Sequence, residues 1–264
     1  MDNIALPEII LLIEKLQATR LFFDTEAFEF YIDYSDKSRY SICPIDAIPF
    51  GRTGHNGIHF AFLTDFKTKF EYENLPIICI APSYDPPVNL VAANIYDFFS
   101  LLMTIHLSTL LADDYQNHDD FIKKRNEFLE GFRSETKYKR KREEQAEFIR
   151  KKFELRRIEN VVNYLSEIKR ERSKIVKTYI PQYSTLGVNP IKDEQIKKIE
   201  LTKDLNKISE FLNSSNKSSR LQFYRDCTNY FILSEKHDSQ IRDLIIEYLV
   251  KDEYFVAAEN LKKY

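Results

Sequence analysis

The sequence predicts an α+β protein, with a sheet and flanking helices in its N-terminal part followed by an all-helical C-terminal region. Three features of the 264-residue chain point to this class. Apolar residues at helical spacing open the chain. Between residues 44 and 87, which hold six of the nine prolines and three of the five glycines, the apolar runs are short and β-prone. After about residue 115, glycine and proline nearly vanish until residue 178, and lysine, arginine and glutamate dominate.

The first predicted elements are a helix and a hairpin. Apolar residues spaced i, i+3, i+4 and i+7 form one face of the opening helix, and Pro7 is acceptable in its first turn. These apolar residues are Ile9, Leu12, Ile13 and Leu16. Residues 28–33 alternate between apolar and polar, and residues 39–43 follow after a turn-like segment. This pattern predicts a β-hairpin.

Two strands and a helix are predicted next. Residues 57–64 and 76–82 are short runs of strand type, and the second run is apolar on both faces. Because such a strand must be covered on both sides, we expect a central strand flanked by helices at residues 76–82. The apolar segment 94–111 is too short and too polar for a membrane span. It predicts a buried helix that covers the sheet.

The change of composition near residue 115 predicts two domains, residues 1–117 and residues 118–264. The second domain should contain a long charged helix. Apolar residues within 148–165 follow the three-and-four spacing that is typical of paired helices. Proline and glycine predict an ordered loop near residues 177–191, after which helical patterns return.

Charge is distributed unevenly along the chain, whose formal net charge is −2. Residues 1–117 carry 7 basic and 16 acidic side chains, a net charge of −9, whereas residues 118–176 carry 18 basic and 12 acidic side chains, a net charge of +6. The sequence therefore predicts an acidic N-terminal surface and a basic middle. The chain shows no signal peptide and no C-x-x-C pair, so we expect a reducing, cytoplasmic location. Its cysteines are Cys43, Cys79 and Cys227.

The densest group of glycines, GRTGHNG at residues 51–57, does not fit a phosphate-binding loop. Its spacing differs from G-x-G-x-x-G and it lacks G-K-[ST], so a turn that leads into a strand is the better interpretation. His55 and His59 lie four residues apart but belong to no H-E-x-x-H motif. No serine or cysteine has a recognisable catalytic context. We therefore expect no enzymatic activity, no metal site and no cofactor.

Cationic side chains between residues 137 and 157 raise the alternative of nucleic-acid binding. Glutamates interleave with these cations and include i, i+4 pairs such as Glu147 with Lys151. Interleaving of this kind is typical of a solvated helix face. Nucleic-acid binding is therefore the weaker interpretation.

Acidic and aromatic side chains around the predicted hairpin and the glycine-rich turn are candidates for protein recognition, because carboxylates beside exposed aromatics suit a basic partner. An acidic surface over buried aromatics would give the same sequence pattern. The candidate partner-binding residues are Glu26, Glu29, Tyr31, Asp33, Asp36, Arg52, His55 and Asn56, with Gly54 and Gly57 shaping the turn.

Three segments of the N-terminal part together resemble the SUKH superfamily. They are FGRTGHNGIHFAFLTD at residues 50–65, LPIICIAP at 75–82 and VNLVAANIYDFF at 88–99. The shared pattern is a small-polar-glycine turn, an aromatic-rich strand, a central apolar strand and a helix start with alanine and asparagine. Asn56 stands where the family usually has an acidic residue. The superfamily includes bacterial immunity proteins of toxin systems and fungal regulators of cell-wall glucan synthesis.

This resemblance implies an α+β domain that binds proteins and does not catalyse a reaction. The resemblance implies an intracellular immunity protein that neutralises a toxin by stoichiometric binding, and because the N-terminal part is acidic we expect this toxin to be basic and nuclease-like. The alternative is a scaffold or regulatory protein, related to cell-wall synthesis or stress. Its helical tail would then form a homodimer or bind a second partner.

Overall fold

The structure of the chain, a computed structural model, divides into two compact units. It describes residues 5–19, 28–34, 40, 42–133, 136–178, 185–191, 194–199, 202–227 and 239–263. The first unit consists of Met1–Ser38, Pro49–Phe62 and Phe70–Lys169, and the second of Arg39–Ile48, Leu63–Lys69 and Arg170–Tyr264. Residues 118–169, which belong to the charged middle of the chain, therefore lie in the first unit. Whether residues 1–117 and 118–264 fold as separate domains stays a prediction.

The described part of the chain has a sheet near its N-terminus and helices throughout the rest, which confirms the predicted α+β class. The strands are β1 Tyr31–Ile32, β2 Ala47–Arg52, β3 His59–Leu63, β4 Ile77–Ile80 and β5 Val88–Ala92. The helices are α1 Glu8–Thr19, α2 Ile95–Ile105, α3 His118–Arg133, α4 Thr136–Phe153, α5 Val161–Ile175, α6 Leu205–Ser214, α7 Lys217–Cys227, α8 Ser239–Lys251 and α9 Phe255–Leu261. Short 3₁₀ helices lie at Tyr72–Asn74 and Ser108–Ala112.

The five strands form one sheet in the order β1-β2-β3-β4-β5, so strands that are adjacent in the chain are adjacent in the sheet. Strand β4 pairs antiparallel with β3, where Ile80 lies opposite His59, and with β5, where Ile80 lies opposite Val88. All residues of β3 and β4 are buried. The predicted strands at 57–64 and 76–82 are confirmed, and the second is an interior strand of the sheet, as expected.

The predicted buried helix at residues 94–111 is present as α2 and the 3₁₀ helix that follows it. The Asn94 side chain accepts a hydrogen bond from Asp97 N and caps the start of α2. His106, in the left-handed conformation with φ 65°, ends the helix. In the described part of the chain, no helix combines the length and the hydrophobicity that crossing a membrane would require.

The predicted hairpin between residues 28–33 and 39–43 is wrong. Strand β1 has two residues and pairs with β2, where Tyr31 lies opposite Arg52. The described residues of 39–43 belong to no strand. Glu29 has a left-handed backbone with φ 49°, so the extended segment begins after it and is too short to form the predicted hairpin arm.

A side chain from α1 covers the open edge of β1. Gln17 Nε2 donates to Phe30 O over 3.2 Å, and Gln17 Oε1 accepts from Ile32 N over 3.0 Å. These two backbone groups face away from β2 and would otherwise be free to pair with a strand from another chain. The Gln17 carboxamide therefore takes the place of a further strand.

Phenylalanine rings fill the core between the sheet and α2. The rings of Phe50 and Phe62 lie 4.6 Å apart, and those of Phe60 and Phe98 lie 4.9 Å apart. A Cβ atom on Gly51 would lie 2.6 Å from the Phe30 ring, so this position of β2 requires glycine. The fully buried rings are Phe28, Phe30, Phe50, Phe60, Phe62, Phe98 and Phe99.

Arginines hold the end of α2. Arg125 of α3 and Arg150 of α4 donate to carbonyl oxygens in its last turn over 2.6 to 3.3 Å. Cations at this position complement the partial negative charge of a helix C-terminus. Burial, followed by the charges of Arg125, Arg142 and Arg150, lowers the pKa of His106 to about 3. His106 is therefore neutral at physiological pH.

In the second unit, polar side chains of α7 accept hydrogen bonds from the backbone of non-helical segments that precede α6. This helix is buried along most of its length. Ser218 Oγ accepts from Ile191 N and Ser219 Oγ accepts from Lys197 N, each over 2.8 Å. Asn216 Oδ1 accepts from Ser219 N over 2.9 Å and caps the helix. The start of α7 thus organises the chain that precedes α6.

The predicted ordered loop near residues 177–191 is described in part, since residues 179–184 lie outside the described residues. Lys177 and Val188 form an antiparallel bridge with hydrogen bonds of 2.8 and 2.9 Å. A Cβ atom on Gly187 would lie 2.1 Å from Lys177 O. Glycine at position 187 therefore allows the two backbone segments to approach.

The hydrophobic core of the second unit combines helices α6–α9 with side chains from distant parts of the sequence. Ile45, Phe66 and Val188 pack with apolar residues of these helices. The Phe66 ring lies 5.7 Å from that of Tyr254 and 6.4 Å from that of Tyr224. Two short segments around residues 45 and 66 thus complete a helical core.

A buried network of alternating charges lies beside this core. Arg225 donates to Asp46 Oδ2 over 2.7 Å and lies 3.9 Å from Asp65 Oδ1, and Arg172 forms two hydrogen bonds with Asp65, of 3.0 and 2.5 Å. The four side chains are at most 9% exposed. Burial, opposed in part by Arg225, raises the pKa of Asp46. Asp65 and Phe66 have left-handed backbones with φ 52° and 56°, a costly conformation that these contacts maintain.

Candidate functional site

The glycine-rich turn at residues 53–58 connects β2 to β3 and presents the predicted recognition residue His55 to solvent. Thr53 N donates to Ile58 O over 3.0 Å, and Thr53 Oγ1 donates to His55 O over 2.9 Å. Three of its residues adopt the left-handed conformation that glycine and asparagine tolerate best. They are Gly54, Asn56 and Gly57, with φ of 86°, 53° and 68°.

Side chains of β1 and β2 lie beside this turn. Arg52 Nε lies 2.7 Å from Asp33 Oδ2, and the Arg52 side chain is 47% exposed. The Arg52 guanidinium lies 5.9 Å from the centre of the Tyr31 ring. A Cβ atom on Gly54 would lie 3.0 Å from the same ring. We call this group the turn surface, which consists of Tyr31, Asp33, Arg52, Gly54, His55 and Asn56.

Three other candidates from the sequence are not part of the turn surface. Glu29 Oε2 is buried and bonds to no described residue, while Ser108 Oγ donates to Glu29 O. Glu26 and Asp36 lie outside the described residues. The structure therefore groups the candidates of β1, β2 and the turn, and places Glu29 further inside.

Replacing Gly54 by alanine should destabilise the turn. We expect the free energy of unfolding to fall by about 1–2 kcal/mol, because alanine is strained at φ 86° and its Cβ would press on the Tyr31 ring. Asn56→Gly, at the neighbouring left-handed position, is the matched control and should leave the free energy of unfolding nearly unchanged. Urea unfolding of the two variants checks this. Equal effects would contradict the assigned strain.

A second group of exposed residues in the first unit combines carboxylates with tyrosines. Burial and the charge of Glu14 raise the pKa of Tyr34, which also lies near Tyr72. Tyr96 Oη donates to Glu73 Oε1 over 3.1 Å, and burial, followed by that bond and the charges of Glu73 and Glu8, raises the pKa of Tyr96. We call this the acidic tyrosine surface, formed by Glu8, Glu14, Tyr34, Tyr72, Glu73 and Tyr96.

The residues of this surface lie next to one another, and Tyr72 packs against other aromatic rings. Its three glutamates are exposed, Tyr34 is 39% exposed, and the other two tyrosines are half-buried. The Tyr72 ring lies 5.0 Å from the buried Phe62 ring and 5.3 Å from the Phe70 ring. Tyr72 is therefore a rigid aromatic group set on the core.

The acidic tyrosine surface cannot be recognised in the sequence alone, because its members come from four separate segments. Glu8 and Glu14 lie on α1, Tyr34 follows β1, Glu73 precedes β4 and Tyr96 lies on α2. The available signal was the net charge of −9 over residues 1–117. Charge counting predicts an acidic surface but cannot show which carboxylates stand beside which tyrosines.

No group of three or more His, Cys, Asp or Glu side chains is placed to hold a metal ion among the residues that the structure describes. His55 is exposed, while His59 is buried in β3, where its Nδ1 donates to Gly57 O over 2.8 Å. All three cysteines are buried, and none of them forms a disulfide within the described residues. Burial raises the pKa of Cys79 and of Cys227, so these two thiols are poor nucleophiles at neutral pH.

Cations of α4 and the segment after it pair with carboxylates. Arg140 Nε lies 2.7 Å from Glu144, and Lys151 and Arg157 both lie near Glu147, at 3.6 and 3.1 Å. Such pairs are the interleaving that the sequence indicates. They reduce the charge that this basic segment could offer to a nucleic-acid backbone.

Comparison with known proteins provides no assignment for these surfaces. The chain matches no protein-family model, and no curated protein matches it.

Proposed function

We propose that this chain is a non-catalytic protein-binding module, an immunity protein of the SUKH superfamily that neutralises a basic, nuclease-like toxin in the cytoplasm by stoichiometric binding. The acidic tyrosine surface carries this proposal. It offers exposed carboxylates for a cationic partner and rigid aromatic rings for contact. The sequence resemblance and the net charge of the N-terminal part add independent support.

The two surfaces have complementary tasks in this proposal. Glutamates of the acidic tyrosine surface attract a cationic partner over a distance of about one Debye length, roughly 8–10 Å at physiological salt. The turn surface then supplies an aromatic ring in Tyr31 and a guanidinium in Arg52, both of residue types that often dominate binding energy. Asp33 and Tyr34 are consecutive in the chain, so the two surfaces adjoin there.

The direct test is capture of the partner from the native host. Tagged full-length protein is used as bait, bound proteins are identified by mass spectrometry, and each basic candidate is expressed with and without this chain. A basic partner that stops growth unless this chain is present would support the immunity function. Host proteins that bind without any growth rescue would favour the scaffold alternative.

Neutralising the acidic tyrosine surface should slow association with that partner. In Glu8→Gln/Glu14→Gln/Glu73→Gln, glutamine keeps the shape of each side chain and the acceptor for Tyr96. We expect the association rate at low salt to fall about tenfold, since steering depends on local charge. Surface plasmon resonance at two salt concentrations measures this.

The matched control changes the same net charge elsewhere in the first unit. Glu127, Glu130 and Glu167 are exposed glutamates on α3 and α5. Their triple glutamine variant should change the association rate less than twofold. If both triple variants slow association equally, net charge and not the acidic tyrosine surface attracts the partner.

One version of the scaffold alternative is a homodimer through the helical region, and the other is a second partner bound there. Of the apolar residues with three-and-four spacing between 148 and 165, most are buried within the chain. Leu155, Ile158, Val162 and Leu165 are each at most 9% exposed, whereas Phe148 is 40% exposed. The spacing is thus used for packing inside the first unit, which weakens the argument for pairing with a second copy.

A further inference from the structure

A hydrogen-bonded pair on α7, one amide and one carboxyl group, lies in the interior of the second unit and belongs to neither surface described above. Gln222 and Asp226 are one helical turn apart, and they are 1% and 6% exposed. Gln222 Nε2 donates to both carboxylate oxygens of Asp226, each over 2.9 Å. One amide nitrogen thus faces both oxygens of the same buried carboxyl group.

Among the described residues, no group donates a hydrogen bond to the carbonyl oxygen of the Gln222 amide. Gln222 Oε1 is buried and accepts no hydrogen bond from the described part of the chain. A buried acceptor without a donor is costly. An ionised Asp226 cannot donate to Gln222 Oε1, because a carboxylate accepts hydrogen bonds and donates none.

Protonation would supply the missing donor. A carboxylic acid donates through its O–H and accepts through its other oxygen. An amide accepts through Oε1 and donates through Nε2, so the two groups can form a pair of hydrogen bonds. After a turn of the amide, protonated Asp226 could donate to Gln222 Oε1 and accept from Gln222 Nε2. Both buried groups would then be satisfied.

We propose that Gln222 and Asp226 form a proton-dependent latch, in which uptake of a proton by Asp226 completes the hydrogen bonding of the pair and stabilises the second unit. The latch joins α7 to a preceding segment, because Thr178 also forms a side-chain hydrogen bond with Asp226. Thr178 directly follows Lys177, which pairs with Val188. The Thr178 bond favours the ionised carboxylate, so proton uptake strengthens the pairing of Asp226 with Gln222 and not the contact with Thr178.

Three titratable groups surround Asp226, two cations and one neutral thiol. Arg225 lies beside it on α7, Lys198 faces it from the segment before α6, and the buried thiol of Cys227 follows it in the chain. Burial raises the pKa of Asp226 to about 6, and the hydrogen bond from Gln222, the two cations and Thr178 oppose this rise. Burial is thus the dominant cause.

The sign of the pH dependence follows from the raised pKa. In the unfolded chain Asp226 releases its proton near pH 4, whereas in the folded chain it keeps the proton up to about pH 6. Stability is therefore fully present below pH 4 and is lost as pH rises through 6. Between pH 5 and pH 7.5 the folding equilibrium constant should fall about tenfold through this residue alone.

The first experiment follows the carboxyl carbon of Asp226 by NMR in the full-length protein. We expect a titration midpoint near pH 6, with the side-chain amide signals of Gln222 moving at the same midpoint. A midpoint near pH 4, or Gln222 signals that do not respond, would overturn the proposal. This measurement needs no variant.

The second experiment uses Asp226→Asn, which keeps the shape and carries a permanent donor for Gln222 Oε1. Hydrogen exchange of α7 amides, corrected for intrinsic rates, gives the equilibrium constant for opening at pH 5 and pH 7.5. We expect the variant to be more protected than the natural chain at pH 7.5 and to lose the tenfold dependence. Asp243→Asn removes a carboxylate that is 67% exposed on α8 and should preserve it. If Asp226→Asn retains the full pH dependence, the latch is refuted.

Discussion

Replacing Arg225 by methionine should lower the free energy of unfolding by about 3–5 kcal/mol, because it leaves the buried carboxylate of Asp46 without a counter-charge. Arg225 is 4% exposed and donates to Asp46, which is 1% exposed. It is also 3.9 Å from Asp65. Methionine fills a similar volume, so the loss comes mainly from uncompensated charge. Urea unfolding of the full-length protein at pH 7.5 measures it.

The loss of unfolding free energy in Arg225→Met should become smaller as pH falls. Burial already raises the pKa of Asp46, and removal of Arg225 would raise this pKa further. As pH falls, Asp46 takes up a proton and the cost of burying its charge disappears. The variant should therefore recover part of its stability between pH 7.5 and pH 5.

Arg140→Met is the matched control for this prediction. Arg140 pairs with Glu144 over 2.7 Å, the same distance as the Arg225 pair, but its side chain is 81% exposed. Because water screens such a pair, we expect no measurable change in the free energy of unfolding. Similar losses in both variants would show that charge burial is not what makes Arg225 important.

Replacing Phe98 by alanine should destabilise the first unit by about 3–5 kcal/mol. Phe98 is fully buried on α2. Its ring lies 4.9 to 5.5 Å from four other phenylalanine rings. Truncation would leave a cavity between the sheet and α2 that stiff aromatic neighbours cannot fill. Thermal and urea unfolding measure the effect.

Phe128→Ala tests the same chemical change at an exposed site. Phe128 lies on α3 and is 40% exposed. We expect a change within about 0.5 kcal/mol, as for most surface substitutions. A loss as large as that of Phe98→Ala would mean that Phe128 packs more tightly than its exposure indicates.

Several elements could be predicted from the sequence because their signals are local. The opening helix follows from apolar residues at helical spacing, and β4 follows from a run that is apolar on both faces. The turn at residues 53–58 follows from the glycine-rich run at residues 51–57, which ends in an Asn-Gly pair. In each case neighbouring residues contain the information.

The wrong hairpin shows where local patterns fail. Alternation over residues 28–33 indicated a strand but not its partner, and the true partner is β2. A left-handed Glu29 and the Gln17 side chain on the edge of β1 decide how long this strand is and what covers it. Such contacts join residues that are far apart in the sequence.

The same distinction holds for the candidate sites. The residue types and the acidic charge of the N-terminal part were determined by the sequence, as were the turn and the main strands. Tertiary structure alone decided that Glu14 stands near Tyr34, that Glu73 meets Tyr96 and that Asp46 pairs with Arg225. The physical reason is that hydrogen bonds, burial and charge pairing act over a few ångströms in space, whatever the separation along the chain.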